Sequence, residues 1–415
     1  MTSAITDDGS AAIETLSAKD RRVHIVGAGP VGLFLAALLQ PVSGLSVHLY
    51  EKRREYTRTR MVQLSSYLVA DSVESYSADH IDGDTVFAVF DPPELDEGLA
   101  FRQSIPSDLM TLLQQWTLGF CPLNTIERSL SDLIDARQSG AVQRTVAVVT
   151  PEEAMNMLTP GDILIDCTGA RSLLRDHLVP GEGNGANTLN IRLEYALVIA
   201  FLYGQKYDCN EYCKYNKNLE NPQYKFIPMV QRTHYDGSVT HVTGIVNITA
   251  EEYERMPSRC DGQWLRNNFP AAAQSMDRFI DKIKDETHGE ILGDLEIIRI
   301  PLNLYRARNA TNRQWHTARD VDHPFVSSPV FLAGDSAIGS PYFQSISLGF
   351  ECAMFLAGLI TQPDLPLKDM LDRYEMYTYK QWMRVYMRSK MIKHNKNLFE
   401  SIDNRDALLD QLHIY

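Results

Sequence analysis

Val23-His24-Ile25-Val26-Gly27-Ala28-Gly29-Pro30-Val31-Gly32-Leu33-Phe34-Leu35-Ala36-Ala37-Leu38-Leu39 is the stretch that decides the fold of this 415-residue chain. Four residues of a short β-rich run enter a Gly-x-Gly-x-x-Gly turn, and Val31 to Leu39 follows at helical apolar density, so the order is strand, tight turn, helix. After a Pro-Val-Ser-Gly break, Ser46 to Tyr50 reads as a second strand ending at Glu51, which closes a βαβ unit. Only small residues allow so sharp a bend and let backbone N–H groups approach a pyrophosphate at the helix N-terminus. Gly27, Gly29 and Gly32, with Pro30 among them, are therefore candidate dinucleotide contacts. Glu51 stands 19 residues after Gly32, where an acidic side chain accepts from ribose hydroxyls.

Outward from this unit, the helical spacing of Ile126, Leu130, Leu133 and Ile134 predicts a helix, and strands are expected over 143–150 and 161–166. The acidic stretch Asp91 to Glu97 is expected to lie between possible strands within 76–120. GEGNGAN at 181–187 reads as a domain crossing. Beyond it, 189–202, 224–231, 238–248 and 296–304 are strand-like around one helical region at 263–284. Pro329 to Ala333 forms a final buried strand, Phe350 to Ile360 a helix, and the last fifty residues are mostly helical. The expected class is α/β: a discontinuous Rossmann-like domain (21–75, 121–180, 325–365), a sheet-rich domain (76–120, 181–324), a C-terminal helical segment (366–415) and a flexible tail (1–20).

Bulk properties narrow the function. Hydrophobic residues at 44% and charged residues at 22% describe a globular chain long enough for more than one core. A formal net charge of -13 argues against nucleic-acid binding, which needs a surplus of Lys and Arg. Six cysteines make no disulfide framework, and Cys209 and Cys213 lack a second ligand pair, so no metal site and a cytoplasmic location are expected. The first twenty residues have neither a basic n-region nor an apolar h-region, and no window approaches a spanning helix of about 18 apolar residues. Met383, Met387 and Met391 mark one face of a helix, read as a core stripe.

Three further segments resolve the choice between NAD and FAD. Phe331-Leu332-Ala333-Gly334-Asp335-Ser336-Ala337 resembles the "GD" motif of the p-hydroxybenzoate hydroxylase fold, with Pro341 matching the proline beside the flavin and Gly349-Phe350 beginning the next helix. Ile165-Asp166-Cys167-Thr168-Gly169-Ala170-Arg171-Ser172, followed by Arg175, resembles the same family's "DG" segment, although Thr168 replaces its aspartate. Ile126-Glu127-Arg128-Ser129-Leu130 lies where the family carries an Arg or Gln toward the FAD phosphates. With the glycine turn, these elements resemble a group A FAD-dependent monooxygenase. Glu51 to Arg58, with Lys52, Arg53 and Arg58, is also similar to a stretch of the MICAL monooxygenase domain, but Thr59-Arg60 stand where that subfamily has two asparagines, so oxidation of a protein methionine is not implied.

The resemblance implies FAD as cofactor, NAD(P)H as electron donor, O2 as oxidant and a flavin hydroperoxide that hydroxylates or epoxidises a small organic substrate, aromatic or polycyclic. It implies FAD contacts at Gly27, Gly29, Pro30, Gly32, Glu51, Lys52, Arg53, Arg58, Arg128, Thr168, Gly169, Gly334, Asp335 and Gly349. Arg60, Pro341, Tyr342, Phe343 and Gln344 are candidates beside the flavin, and Ile338 replaces the usual histidine after "GD". Arg192, Tyr195, Tyr224, Tyr305 and Arg306 are candidate substrate contacts, because aromatic and Arg side chains on alternating strand positions suit planar oxygenated molecules. An FAD-dependent reductase or dehydrogenase, and a MICAL-like redox or interaction module, are the alternatives. The protein partner is open in both.

Overall fold

Five short strands, β1 (Arg21–Val26), β2 (Leu45–Glu51), β5 (Val142–Val146), β6 (Ile163–Asp166) and β12 (Val330–Leu332), form an all-parallel sheet in the order β12-β6-β1-β2-β5. The computed structural model describes residues 21–58, 61–72, 92–118, 120–137, 141–179, 187–206, 224, 226–233, 238–313, 328–340 and 345–411. Helix α1 (Pro30–Leu39) follows the glycine turn, with Pro30 at its first position, where the missing N–H costs nothing. Eight of its ten residues are buried, so the helix is apolar nearly all round and sits inside the core. Val23, Ile25, Val47, Leu49, Ile163 and Ile165 pack from the sheet onto this side.

The second sheet is antiparallel. β7 (Thr188–Tyr203), β8 (Phe226–Thr233), β9 (Thr240–Ile248), β10 (Arg259–Cys260) and β11 (Ile291–Ala307) run in the order β10-β11-β7-β9-β8, and β13 (Ile338–Gly339) adds to β11. Alternation assigns its faces: Leu197, Ile199, Phe201 and Tyr203 join Ile297 in a separate core. Helices α7 (Ala250–Arg255), α8 (Gly262–Asn268) and α9 (Pro270–Thr287) accompany this sheet, and Met276, Phe279, Ile280 and Ile283 of α9 belong to the same core. The helical region expected over 263–284 is thus two helices, because Pro270 cannot continue the first. A two-stranded antiparallel sheet, β3 (Met61–Gln63) with β4 (Phe120–Pro122), is separate from both sheets.

The strands expected within 76–120 are replaced, over the described part, by α2 (Pro92–Gln103) and α3 (Ser107–Thr117). Leu109, Leu113 and Trp116 recur at helical spacing and are buried in the core of the parallel sheet, so this segment packs with the Rossmann-like half and not with the antiparallel sheet. The remaining elements on that side are α4 (Leu123–Ala136), α5 (Pro151–Met157) and α6 (Leu173–Leu178), then α10 (Ser345–Ile360) and the long α11 (Leu367–Gln411). Sequence reading overlooked α5 and α7, yet both are written as Thr-x-x-Glu capping boxes, Thr150 with Glu153 and Thr249 with Glu252. The core face of α11 is Tyr374, Tyr377, Gln381 and Val385, with Met383 only partly buried beside it. No helix among the described residues is long and apolar enough to cross a membrane.

Two buried polar clusters stand out. Between α2, α10 and α11, the fully buried Glu351 carboxylate accepts from both terminal nitrogens of Arg384 (3.1 and 2.7 Å) and from Arg102 (3.4 Å). On the outer face of the parallel sheet, His24 is 3% exposed, stacks on His48 at 5.0 Å and shares a hydrogen bond with the Tyr50 hydroxyl at 3.1 Å. Burial, reinforced by His48 and only partly offset by Asp162, pushes the His24 imidazole down to about 4. Below pH 6.5 the unfolded chain takes up a proton that the folded chain refuses until pH falls to about 4, so stability declines as pH drops through that window. Allowing for solvent screening, the loss is about 1–2 kcal/mol. Urea unfolding at pH 7 and pH 4.5 is expected to show this slope, and His24→Gln to flatten it.

Candidate functional site

β1 leads across α1 to β2 on one side and pairs with β6 on the other, so the direction of strand addition reverses beside β1 and the carboxyl ends of the strands open a crevice. That edge carries the turns after Val26, Glu51, Asp166 and Leu332. The cleft there is lined by Gly27, Gly29, Pro30, Glu51, Lys52, Arg53, Arg58, Thr168, Gly169, Gly334 and Asp335. Segments some three hundred residues apart in sequence thereby face one another.

The three glycines do different work. Gly27 has φ +103°, and a Cβ on it would stand 2.5 Å from the Cys167 carbonyl oxygen. At Gly32 a Cβ would come within 2.0 Å of the Gly27 carbonyl oxygen, so both positions are closed by the protein's own backbone. Gly29 is different: the nearest atom to a Cβ there is a terminal nitrogen of Arg58, 3.3 Å away. Gly29 is also the N-cap of α1 and supplies no capping side chain, and the first turn contains no acidic residue. Space, exposed helix-end amides and an adjacent guanidinium converge at this point, as an anionic group requires.

Arg58 is held by Glu127 of α4, whose side chain is fully buried. Burial raises the Glu127 carboxyl, with Arg58 opposing that rise. Arg58 Nε and Glu127 Oε2 are buried without a hydrogen-bond partner among the described residues. Arg128, the neighbouring candidate, instead donates to the Tyr56 carbonyl at 3.3 Å and does not line the cleft. Helix geometry turns Glu127 inward with Ile126 and Leu130, and leaves Arg128 on the outer side. Glu51 closes on its own loop, accepting from the Arg53 backbone N–H (3.0 Å) and Nε (3.1 Å).

The turn after β6 is built on Asp166. Its buried carboxylate accepts from the Thr168 N–H (2.9 Å) and hydroxyl (2.7 Å) and from the Ser172 hydroxyl. Burial raises its carboxyl while the two hydroxyls oppose that rise. Thr168 therefore closes a local carboxylate loop at the cleft wall. Arg175 donates to the carbonyls of Ala170 (3.2 Å) and Ser336 (3.4 Å), which ties this turn to the one after β12. Gly32 and Gly349 sit behind the wall; a Cβ on Gly349 would meet Val31 at 2.6 Å, so its smallness lets α10 lie against the start of α1. Helix α10 begins at Ser345, earlier than expected, and Ser345 and Ile346 reach the cleft.

None of the five expected substrate residues lines this cleft. The Tyr195 ring packs against Tyr253 at 4.5 Å, tilted by 40°, and Tyr224 donates to Glu252, which places both with the helix-covered core of the antiparallel sheet. Arg192 is exposed and donates to the Tyr195 hydroxyl at 2.7 Å. Arg306 lies against the rings of Tyr379 (4.9 Å) and Trp382 (5.7 Å) on α11. The Tyr305 hydroxyl is engaged by the Asp335 carbonyl. Arg60, Pro341, Tyr342, Phe343 and Gln344 lie outside the described residues. Arg171, Tyr50 and Cys167 line the cleft and were not singled out as contacts, although Arg171 belongs to the quoted "DG" segment. Among the described residues no cluster of three or more His, Cys, Asp or Glu side chains could hold a metal ion.

Residues 25–60 match the family of NAD(P)-binding Rossmann-like domains. No curated protein matches the chain. Among solved structures, the Diels-Alderase PyrE3 of pyrroindomycin biosynthesis is 14% identical, with 92% of this chain and 77% of that one covered at a TM-score of 0.48. The tetracycline destructase Tet(51) is 12% identical over 92% and 96% of the two chains, with a TM-score of 0.47. CabE, an aromatic hydroxylase from angucycline biosynthesis, is 15% identical over 96% and 73%, with a TM-score of 0.45.

Proposed function

We propose that this chain is an FAD-dependent monooxygenase that uses NAD(P)H and O2 to hydroxylate or epoxidise a small apolar, aromatic or polycyclic molecule. The observation that carries the reading is the single cleft joining the glycine turn, Glu51, Arg58, Thr168-Gly169 and Gly334-Asp335. Gly29 leaves a cradle that a Cβ would fill, and the orphaned Arg58 Nε is buried beside it. These features fit a pyrophosphate. Glu51 would hold the adenosine ribose, with the Arg53 contact giving way to it, and Asp335 the ribityl chain. When bound, FAD supplies the redox and oxygen chemistry; the chain binds, orients and excludes water.

The antiparallel sheet supports an apolar substrate. Opposite its helix-covered side, cross-strand neighbours Val198 and Ile245, Val198 and Ile298, and Ala196 and Ile300 share one face, with Leu302 beside Glu194. That face also carries Glu194, Glu296, Thr243, His241 and Asn247, with Arg259 opposite Ile298 and Arg192 on the same side of β7 as Glu194, so its aliphatic centre is bordered by charges of both signs.

Purified chain reconstituted with FAD and supplied with NADPH or NADH under labelled dioxygen tests the reading. A polycyclic phenol that stimulates NAD(P)H oxidation should appear with one labelled oxygen atom. Full product yield without oxygen would move the assignment to a dehydrogenase. Chain that takes up no FAD contradicts both.

A further inference from the structure

Strand β11 runs from the antiparallel sheet to the cofactor-facing turn, and one side chain crosses between them. The Tyr305 hydroxyl donates to the Asp335 backbone carbonyl at 2.5 Å, and Asp335 lies in the short 3-10 turn Gly334–Ser336 at the cleft. β13 pairs with β11 immediately beyond that turn, Tyr305 opposite Gly339 and Arg306 opposite Ile338, while the Ala307 N–H donates to the Ala337 carbonyl at 2.7 Å. The phenol ring covers Gly339 so closely that a Cβ there would stand 1.9 Å from the ring edge. Burial, then the nearby Asp335, pushes the Tyr305 phenol up, so it remains a protonated donor at neutral pH. The next residue, Arg306, is braced by Tyr379 and Trp382 of α11, which limits movement of this strand end from the other side.

We infer that Tyr305 is a positioning residue for the FAD-binding turn: its hydroxyl fixes the Asp335 backbone and ties the substrate-bearing sheet to the cofactor cleft. This rests on the proposed FAD site. The one proton of that hydroxyl is committed to a carbonyl of the neighbouring turn, so it can accept from another partner but not donate to one. Gly339 is the complement of the ring, since any larger residue would drive the phenol off the carbonyl.

The test is FAD titration of apo-chain by flavin fluorescence, with backbone amide exchange over 333–338 followed in the same proteins. Tyr305→Phe keeps the ring and removes one hydrogen bond, so FAD affinity should fall about three- to tenfold, with faster exchange in the turn and little change in apo-protein melting. Gly339→Ala should weaken FAD at least as much, and the double variant should be no weaker than Gly339→Ala alone, because the displaced ring has already lost its carbonyl. Should Tyr305→Phe fold poorly, exchange in the folded fraction reports the same loss of restraint. Unchanged FAD affinity and exchange, with only the substrate KM altered, would overturn the assignment and restore Tyr305 as a substrate contact. Additive effects of the two substitutions would also overturn it. Parent chain that binds no FAD would instead overturn the cofactor reading beneath it.

Discussion

Gly29→Ala is expected to lose FAD by about a hundredfold or more, equivalent to about 2.7 kcal/mol, while melting as the parent chain does. The prediction follows from the difference between three glycines that look alike in sequence. Alanine at Gly27 or Gly32 would collide with the Cys167 or Gly27 carbonyl, so those variants are expected to fold badly and would say little about binding. At Gly29 the protein offers only the far end of the Arg58 side chain as a neighbour, 3.3 Å from the added carbon. The methyl group therefore fills space claimed by the ligand, at the helix end where a pyrophosphate must come closest to the backbone. Calorimetric melting of apo-protein and FAD titration measure the two halves separately. A variant that melts normally and still binds FAD within threefold of the parent would show that the dinucleotide lies elsewhere.

Glu351→Ala is expected to destabilise the chain by about 3–5 kcal/mol, a large share of the stability of an ordinary domain. The carboxylate is fully buried and takes two hydrogen bonds from Arg384 and one from Arg102. Its removal leaves two guanidinium groups in the interior without the negative charge between them. Because the cluster joins α2, α10 and α11, the loss should appear in the cooperative unfolding of the Rossmann-like half, measured by urea denaturation at pH 7. Replacing all three residues by methionine should cost less than Glu351→Ala, since apolar packing then replaces an uncompensated charge. Equal stability of the Glu351→Ala variant and the parent would contradict this account of the helix interface.

What was legible in the sequence follows from range. The βαβ unit is local, and its turn, helix and second strand end where apolar spacing and the Gly and Pro punctuation put them. The long alternating strands of the second sheet were legible for the same reason. Helix α2 was not, because the Pro-rich acidic opening reads as a loop unless Pro92 is taken as a helix-starting residue, whereas α3 carried the spacing of Leu109, Leu113 and Trp116 and was missed all the same. The burial of Arg384 was also hidden: charge predicts a solvated side chain, and only the facing Glu351, 33 residues away, reverses that expectation.

The cleft shows the same division. Gly27, Gly29, Glu51, Thr168 and Asp335 were identified from motifs, each anchored at a strand end where short-range geometry fixes it. Arg128 came from the position of an Arg or Gln in the resembling family, whereas helix phase turns Glu127 inward at this place. Glu127 then recruits Arg58, 69 residues earlier, to the helix end. For the second sheet, strand alternation names two faces without saying which one the helices cover.

The central claim is that the cleft takes FAD, while residues 25–60 alone match a family described by NAD(P) binding. Equilibrium dialysis of the purified apo-chain against FAD, NAD and NADP decides between them. The account predicts one tightly bound FAD per chain that neither NAD nor NADP displaces. Stoichiometric binding of NAD or NADP, with FAD left outside the dialysis membrane, would contradict it.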